Sequence, residues 1–302
     1  LGELVNVDGR QAHLYCTGEN QSGSPTVILE AGGGDHLYTW YTLQREISRF
    51  TRVCSYDRAG IGWSEAAAGR RTAGQIAGEL SVLLQTALEP GPYVMVGHSY
   101  GGLIARIFAA RHPQDVAGLV LIDSTNAEDI VTYAPLLLKI VPSDVGLASL
   151  IQKAGGLRLF GVAPSLLSES FAFLPADVIP AAQALSLRAG SFWVAYREMM
   201  LMPESAREAV QAGTLGDMPC RSLSLPHRPR RMALFQKTIW SIFGPCLPIA
   251  RCLRSTAGTM STWSDQSWCW TPFVLWSKRK DNNPGGSCLD NHVAVDRFCK
   301  VC

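Results

Sequence analysis

The segment that most constrains this chain is Val94-Met95-Val96-Gly97-His98-Ser99-Tyr100-Gly101-Gly102. An apolar, strand-forming run over residues 93–96 enters it. A run with helical periodicity over 103–111, stopped by Pro113, leaves it. A strand that turns at once into a helix has no room for side chains two residues before and two residues after the turn, and Gly97 and Gly101 stand there. The Ser99 hydroxyl is then presented at the carboxyl edge of a sheet. The amino end of the following helix points at the same spot and favours negative charge there.

The rest of the first 123 residues repeats this strand-then-helix rhythm. Residues 4–7 and 11–16 flank the turn pair Asp8-Gly9 and read as a hairpin. Residues 26–30 form a β-rich run entering Ala31-Gly32-Gly33-Gly34. Residues 39–50 place Leu43, Ile47 and Phe50 on one helical face, and 51–56 read as a strand. Thr72 and Gln75 have capping-box spacing ahead of the helical positions Ile76, Leu80, Leu83 and Leu84. Residues 116–122 form a continuous apolar strand of the kind buried in parallel sheets. Such alternation predicts an α/β fold with a mostly parallel central sheet flanked by helices. Residues 124–203 break the rhythm. They are rich in Leu, Phe and Met, contain six prolines, and predict short helices laid over one end of the sheet as a cap. Ser205 and Glu208 are expected to cap a helix ending near Gly213, and residues 219–225 to supply the next strand.

Composition separates the tail from the rest. The chain has 302 residues, 47% hydrophobic and 17% charged, which suits a globular core and not disorder. Its net charge of +2 gives no strong pull on nucleic acid or acidic membranes. No apolar run approaches the roughly 18 residues that cross a bilayer, so the chain reads as soluble as given. Residues 219–302, however, carry 12 Lys/Arg against 4 Asp/Glu, whereas residues 1–218 carry 15 against 21. That tail lacks Glu and holds seven of nine Cys and five of eight Trp. Only Cys16 and Cys54 precede it, so the first part is not expected to depend on disulfides. Because the first residue is Leu, the expectation is a chain whose signal or anchor was removed, which would suit a secreted or periplasmic protein, or a truncated reading frame.

At this point the chain resembles the α/β-hydrolase superfamily, in its esterase-like branch with a G-H-S-Y-G nucleophile elbow. The resemblance covers about residues 1–218. Val27-Ile28-Leu29-Glu30-Ala31-Gly32-Gly33-Gly34 resembles the loop after the third strand that helps bind an oxyanion. Ser55-Tyr56-Asp57-Arg58-Ala59-Gly60-Ile61-Gly62-Trp63-Ser64 is similar to that branch's strand-and-turn segment. Gly118-Leu119-Val120-Leu121-Ile122-Asp123 looks like the sixth strand, and Gly213-Thr214-Leu215-Gly216-Asp217-Met218-Pro219 like the lead-in to the seventh. The resemblance implies a core of 1–123 and 204–302, with 219–302 atypical, and a helical cap of 124–203 inserted after the sixth strand. It implies Ser99 as nucleophile, with the N–H groups of Tyr100 and Gly33 as oxyanion donors and Gly34 as a neighbouring candidate. Asp57 and Arg58 are read as bracing a turn. His98 is read as packing or lining the pocket, with Gly34 and the cap residue Trp193 also facing substrate.

The resemblance also implies the order Ser, acid, His. His112, His227 and His292 follow Ser99. His112 closes the helix after the turn, where its charge suits a helix C-terminus, and His227 sits in a basic loop. His292, in Asp290-Asn291-His292-Val293-Ala294-Val295-Asp296, is similar to the family's late Gly-His segment, with Asn291 in place of the Gly. It is the expected base. The usual acid position, after the seventh strand, offers no carboxylate over residues 220–263. Asp123, ending the sixth strand, is the expected acid, with a loop-capping role as its alternative and Asp265 and Asp290 as weaker options. The composition break motivates a hypothesis that the last third is altered or frame-shifted. Translating the coding DNA in all three frames tests it, and it fails if no frame restores a Gly-His segment and a helix. Cys288, His292, Cys299 and Cys302 include one C-x-x-C, but their spacing is otherwise irregular and chance composition explains them better than zinc.

These features predict a serine hydrolase of small or short- to medium-chain carboxylic esters, acting through an acyl-enzyme without metal or cofactor. The partner expected is a small-molecule ester, not nucleic acid. The rival expectation is a hydrolase-like binding or receptor protein with little or no turnover.

Overall fold

The computed structural model describes residues 1–20, 23–132, 171, 174–188 and 190–223. They all belong to one of the two units of the chain, the one containing Leu1–Thr238. His292, His227, Asp265, Asp290, the metal-type set Cys288, Cys299 and Cys302, and positions 136–138, 160 and 173 of the Leu- and Phe-rich expected cap lie outside the described residues.

Seven strands form one sheet: β1 (Glu3–Val7), β2 (Arg10–Thr17), β3 (Thr26–Glu30), β4 (Val53–Tyr56), β5 (Tyr93–His98), β6 (Val116–Ile122) and β7 (Cys220–Leu223). Their order is β1-β2-β4-β3-β5-β6-β7. The first two pairings are antiparallel, and every pairing from β4 to β7 is parallel. Asp8 and Gly9 both take positive φ, 52° and 79°, the geometry a two-residue hairpin needs.

The helices are α1 (Tyr41–Ile47), preceded by a 3-10 turn over Leu37–Trp40, then α2 (Ala73–Thr86) and α3 (Tyr100–Arg111). Among the described residues between β6 and β7 come α4 (Ile179–Ser186), α5 (Ser191–Met200) and α6 (Met202–Gln211). Successive strand residues point to opposite faces. Cys54 and Tyr56 join Ile28, Met95 and Leu119 in a core filled by α2, α3 and α6. Ser55, between them, instead donates to Gln44 of α1 at 2.5 Å, which puts α1 on the other face. Among the described residues no helix is long and apolar enough to cross a membrane.

Two expectations are corrected. Ser205 and Glu208 do not cap their own helix. They lie inside α6 and seal the amino end of α2: Ser205 Oγ accepts the Ala73 N–H at 2.9 Å, and Glu208 Oε2 accepts the Gly74 N–H at 2.7 Å. Thr72 Oγ1 takes the Gln75 N–H as its spacing predicts, so three otherwise unpaired amides are satisfied together. The second concerns Cys16 and Cys54. They oppose each other across β2 and β4 and form a disulfide, so this part of the chain carries a crosslink despite its low cysteine count.

Candidate active site

Ser99 stands between β5 and α3 with φ 50° and ψ −121°, a conformation that stores backbone strain in a residue other than glycine. Its neighbours hold it there. The Ser99 N–H donates to Ile122 O at 3.2 Å, and Ser99 O accepts from Gly102 N at 3.0 Å and Thr125 N at 3.1 Å. The glycines are required by space. A Cβ on Gly97 would stand 2.7 Å from Gly101 O and from the Gly102 Cα, and one on Gly101 would meet Glu30 O and Ala31 O. The turn therefore packs directly against the end of β3, where the glycine loop begins.

Tyr100 opens α3 and is buried, its hydroxyl bridging to Arg71 O at 3.1 Å and Ser205 Oγ at 2.9 Å. Burial pushes its phenol pKa well above the usual value. A Cβ on Gly33 would lie 3.7 Å from the Tyr100 Cβ, so these two residues face each other beside Ser99. Among the described residues, neither the Tyr100 nor the Gly33 N–H has a hydrogen-bond acceptor. Gly34 differs: its N–H donates to Glu198 Oε2 at 3.0 Å, and Ala195 blocks any side chain there.

Behind the loop lies a buried ionic cluster. Arg58 donates from Nε to Glu198 Oε1 at 2.9 Å, from Nη2 to Glu198 Oε2 at 3.0 Å, and from Nη1 to Glu30 Oε1 at 2.8 Å. It also grips Ala31 O at 2.7 Å and Gly32 O at 2.5 Å. Tyr56 donates to the other Glu30 oxygen at 2.5 Å. Burial raises the Glu30 pKa, and Arg58 opposes that rise. Burial works against the Arg58 charge, but Glu198 and Glu30 more than offset it and hold the guanidinium pKa well above its ordinary value. Arg58 thus does far more than brace a turn. Asp57 matches its expected role, accepting from Leu37 N at 2.9 Å, Trp63 N at 3.0 Å and His13 Nδ1 at 2.8 Å.

The other expected residues divide. His98 is half-buried, lies edge-on to Trp40 at 6.4 Å, and faces Gly32, with its buried Nδ1 lacking a partner among the described residues. Trp193 is half-buried on α5 and stacks on Tyr196 at 5.6 Å, on the same helix as Ala195 and Glu198. Asp123 is exposed, with φ 44°, at the end of β6. On either side of it, Ile122 O and the Thr125 N–H are hydrogen-bonded to Ser99. His112 ends α3, packs on Phe108 at 4.7 Å, and lies 3.9 Å from Asp115. Phe171 is buried with Leu37, Tyr38 and Leu174 and stacks on His36, so it serves packing. Cys16, Cys54 and Glu89 form the one cluster of metal-type ligands among the described residues, but the disulfide leaves it a single carboxylate.

Residues 25–151 match the family model described as alpha/beta hydrolase fold. The sheet order, the serine turn after β5 and that match agree. This chain has the α/β-hydrolase fold. Among solved α/β-hydrolase structures, the enol-lactonase from Burkholderia xenovorans LB400 superposes with a TM-score of 0.55 at 19% identity, covering 80% of this chain and 99% of that one. The uncharacterized protein YqjL of Bacillus subtilis is 40% identical over 125 residues, 41% of this chain and 48% of the relative. Human monoglyceride lipase is 31% identical over 157 residues, 47% of this chain and 49% of the relative. The chain thus spans about half the length of these curated relatives.

Sequence reasoning missed Glu198. Its signal was present: Ser191, Val194 and Glu198 fall on one helical face, and a carboxylate on a buried face implies a buried cation. What the sequence does not show is which cation, because Arg58 is 140 residues away.

Proposed function

We propose that this protein is a serine hydrolase of carboxylic esters, with a small or short- to medium-chain acyl group. The observation that carries the reading is the strained Ser99 beside two backbone amides, of Gly33 and Tyr100, that have no acceptor among the described residues. Unpaired N–H groups next to a serine suit a developing oxyanion, and one such donor is typically worth about 3–4 kcal/mol of transition-state binding. The α/β-hydrolase family match, and relatives named as a lipase and a lactonase, support a hydrolase.

In the proposed reaction, Ser99 Oγ attacks the ester carbonyl while His292 takes its proton. The carbonyl oxygen becomes an oxyanion held by the Gly33 and Tyr100 amides. The C–O bond then breaks, the alcohol leaves with the proton from His292, and the acyl group stays on Ser99. Water, deprotonated by His292, repeats the attack and releases the acid. Asp123 is assigned the role of the acid; its loop is tied to Ser99 through Ile122 and Thr125. Residues 124–203, including α4 and α5, act as the cap, with Trp193 and His98 lining the acyl side.

A fluorophosphonate probe tests the chemistry. Wild type labels, and Ser99→Ala does not, with hydrolysis falling by about four to six orders of magnitude. A folded wild type that never labels favours the binding-protein alternative. p-Nitrophenyl butyrate is turned over faster than the palmitate ester, and the reverse order rejects the chain-length assignment.

A further inference from the structure

We propose that Glu198 is a positioning residue that aims the Gly33 N–H at the oxyanion; the inference rests on the serine-hydrolase reading above. A peptide group is planar, so holding its carbonyl fixes the direction of the N–H on its other side. The Gly33 N–H shares a peptide plane with Gly32 O, which Arg58 Nη2 grips at 2.5 Å. The next plane joins Gly33 to Gly34, and its N–H is held by Glu198 Oε2 at 3.0 Å. Both planes that flank Gly33 are therefore clamped, one by each member of an ion pair. Without the clamp, a glycine swings more freely than any other residue.

Glu198 acts on both planes. It binds Gly34 directly and orients Arg58 through a two-point contact, Nε to Oε1 at 2.9 Å and Nη2 to Oε2 at 3.0 Å. The side chains of Glu198 and Arg58 are each 1% exposed, so water does not substitute for either. Charge is balanced as well as geometry. The Glu198 carboxylate lies 3.9 Å from the position a Gly33 Cβ would occupy, close enough to oppose an oxyanion if it were unpaired. Arg58, which also binds Glu30, supplies the compensating cation. Because Glu198 belongs to α5, the aim of the amide is coupled to the seating of that helix: Val194 packs at Gly60 and Ala195 at Gly34.

The test compares Glu198→Ala, Glu198→Gln and Glu198→Asp with wild type. Its readouts are p-nitrophenyl butyrate kinetics, the rate of Ser99 phosphonylation by a fluorophosphonate, and thermal unfolding. Glu198→Ala lowers kcat and the phosphonylation rate about 30- to 100-fold, while KM moves less than about threefold. Glu198→Gln keeps an oxygen for the Gly34 N–H but cannot accept from both Arg58 donors, and recovers only part of that loss. Glu198→Asp keeps the charge but shortens the reach, and lowers kcat about tenfold; it carries the test if Glu198→Ala does not fold. Folded variants whose kcat and phosphonylation rate stay within about twofold of wild type overturn the proposal, whatever their melting temperature. A folded wild type that neither labels nor hydrolyses ester overturns the serine-hydrolase reading, and this inference with it. A labelled wild type with indifferent Glu198 variants overturns this inference alone.

Discussion

Helices α4 and α5 reach the loop after β3 by opposite physical means. At α4, a buried imidazole does the work: His36 Nε2 lies 3.1 Å from Ala182 O and 2.8 Å from Ser186 Oγ. At α5, a buried guanidinium does it, clasped between Glu30 and Glu198. At the first contact the imidazole faces a carbonyl acceptor, so its Nε2–H donates, and burial lowers the His36 pKa and favours the uncharged ring. The second depends on full charges that stabilise each other where water is absent. One loop is thus held by a ring whose burial makes charging costly and by an ion cluster that survives only while all its members are present.

The sharpest way to break the α5 contact is Arg58→Leu, which leaves the Glu30 and Glu198 carboxylates buried without a cation. It costs about 3–5 kcal/mol, read as a lower urea midpoint. His36→Leu is milder. Ser186 Oγ already donates to Ala182 O at 3.1 Å, so that carbonyl keeps a partner, and the loss is about 1 kcal/mol in the same measurement. The smallest effect is that of pH. A histidine whose folded pKa lies below its unfolded value of about 6.5 contributes stability that is present above that value. The contribution is lost as pH falls through the lowered folded value. Glu30 works the other way, since a raised carboxyl pKa gains stability as pH falls through it toward 4.5. Because Glu30 contributes alike to both proteins, lowering the pH from 7.5 to 5.0 shifts the melting temperature of wild type further downward than that of His36→Gln. An equal drop in both removes the assignment to His36.

These contrasts mark where the sequence was legible. Residues 26–30 and 116–122 match β3 and β6 end to end, because continuous β-branched and leucine runs between turn residues have few other solutions. The Ser99 turn was legible for the same local reason, as glycines at fixed offsets report a tight bend. Long-range contacts were not. Ser205 and Glu208 have the right residue types for a cap, but they cap a helix more than 130 positions earlier. Glu198 announces a buried cation without naming it. Alternation of hydrophobicity reports which face is inside; it carries no record of which distant element arrives there.

The sealed amino end of α2 has a consequence for the order of assembly. Two of its three guarded amides wait for oxygens at positions 205 and 208, and the Tyr100 hydroxyl meets Ser205 at the same junction. A ribosome that has not yet delivered α6 has already made β1 to β6, yet α2 begins with bare donors. The early part of the molecule is finished by the late part, so a nascent chain stays unlatched at this corner until α6 emerges.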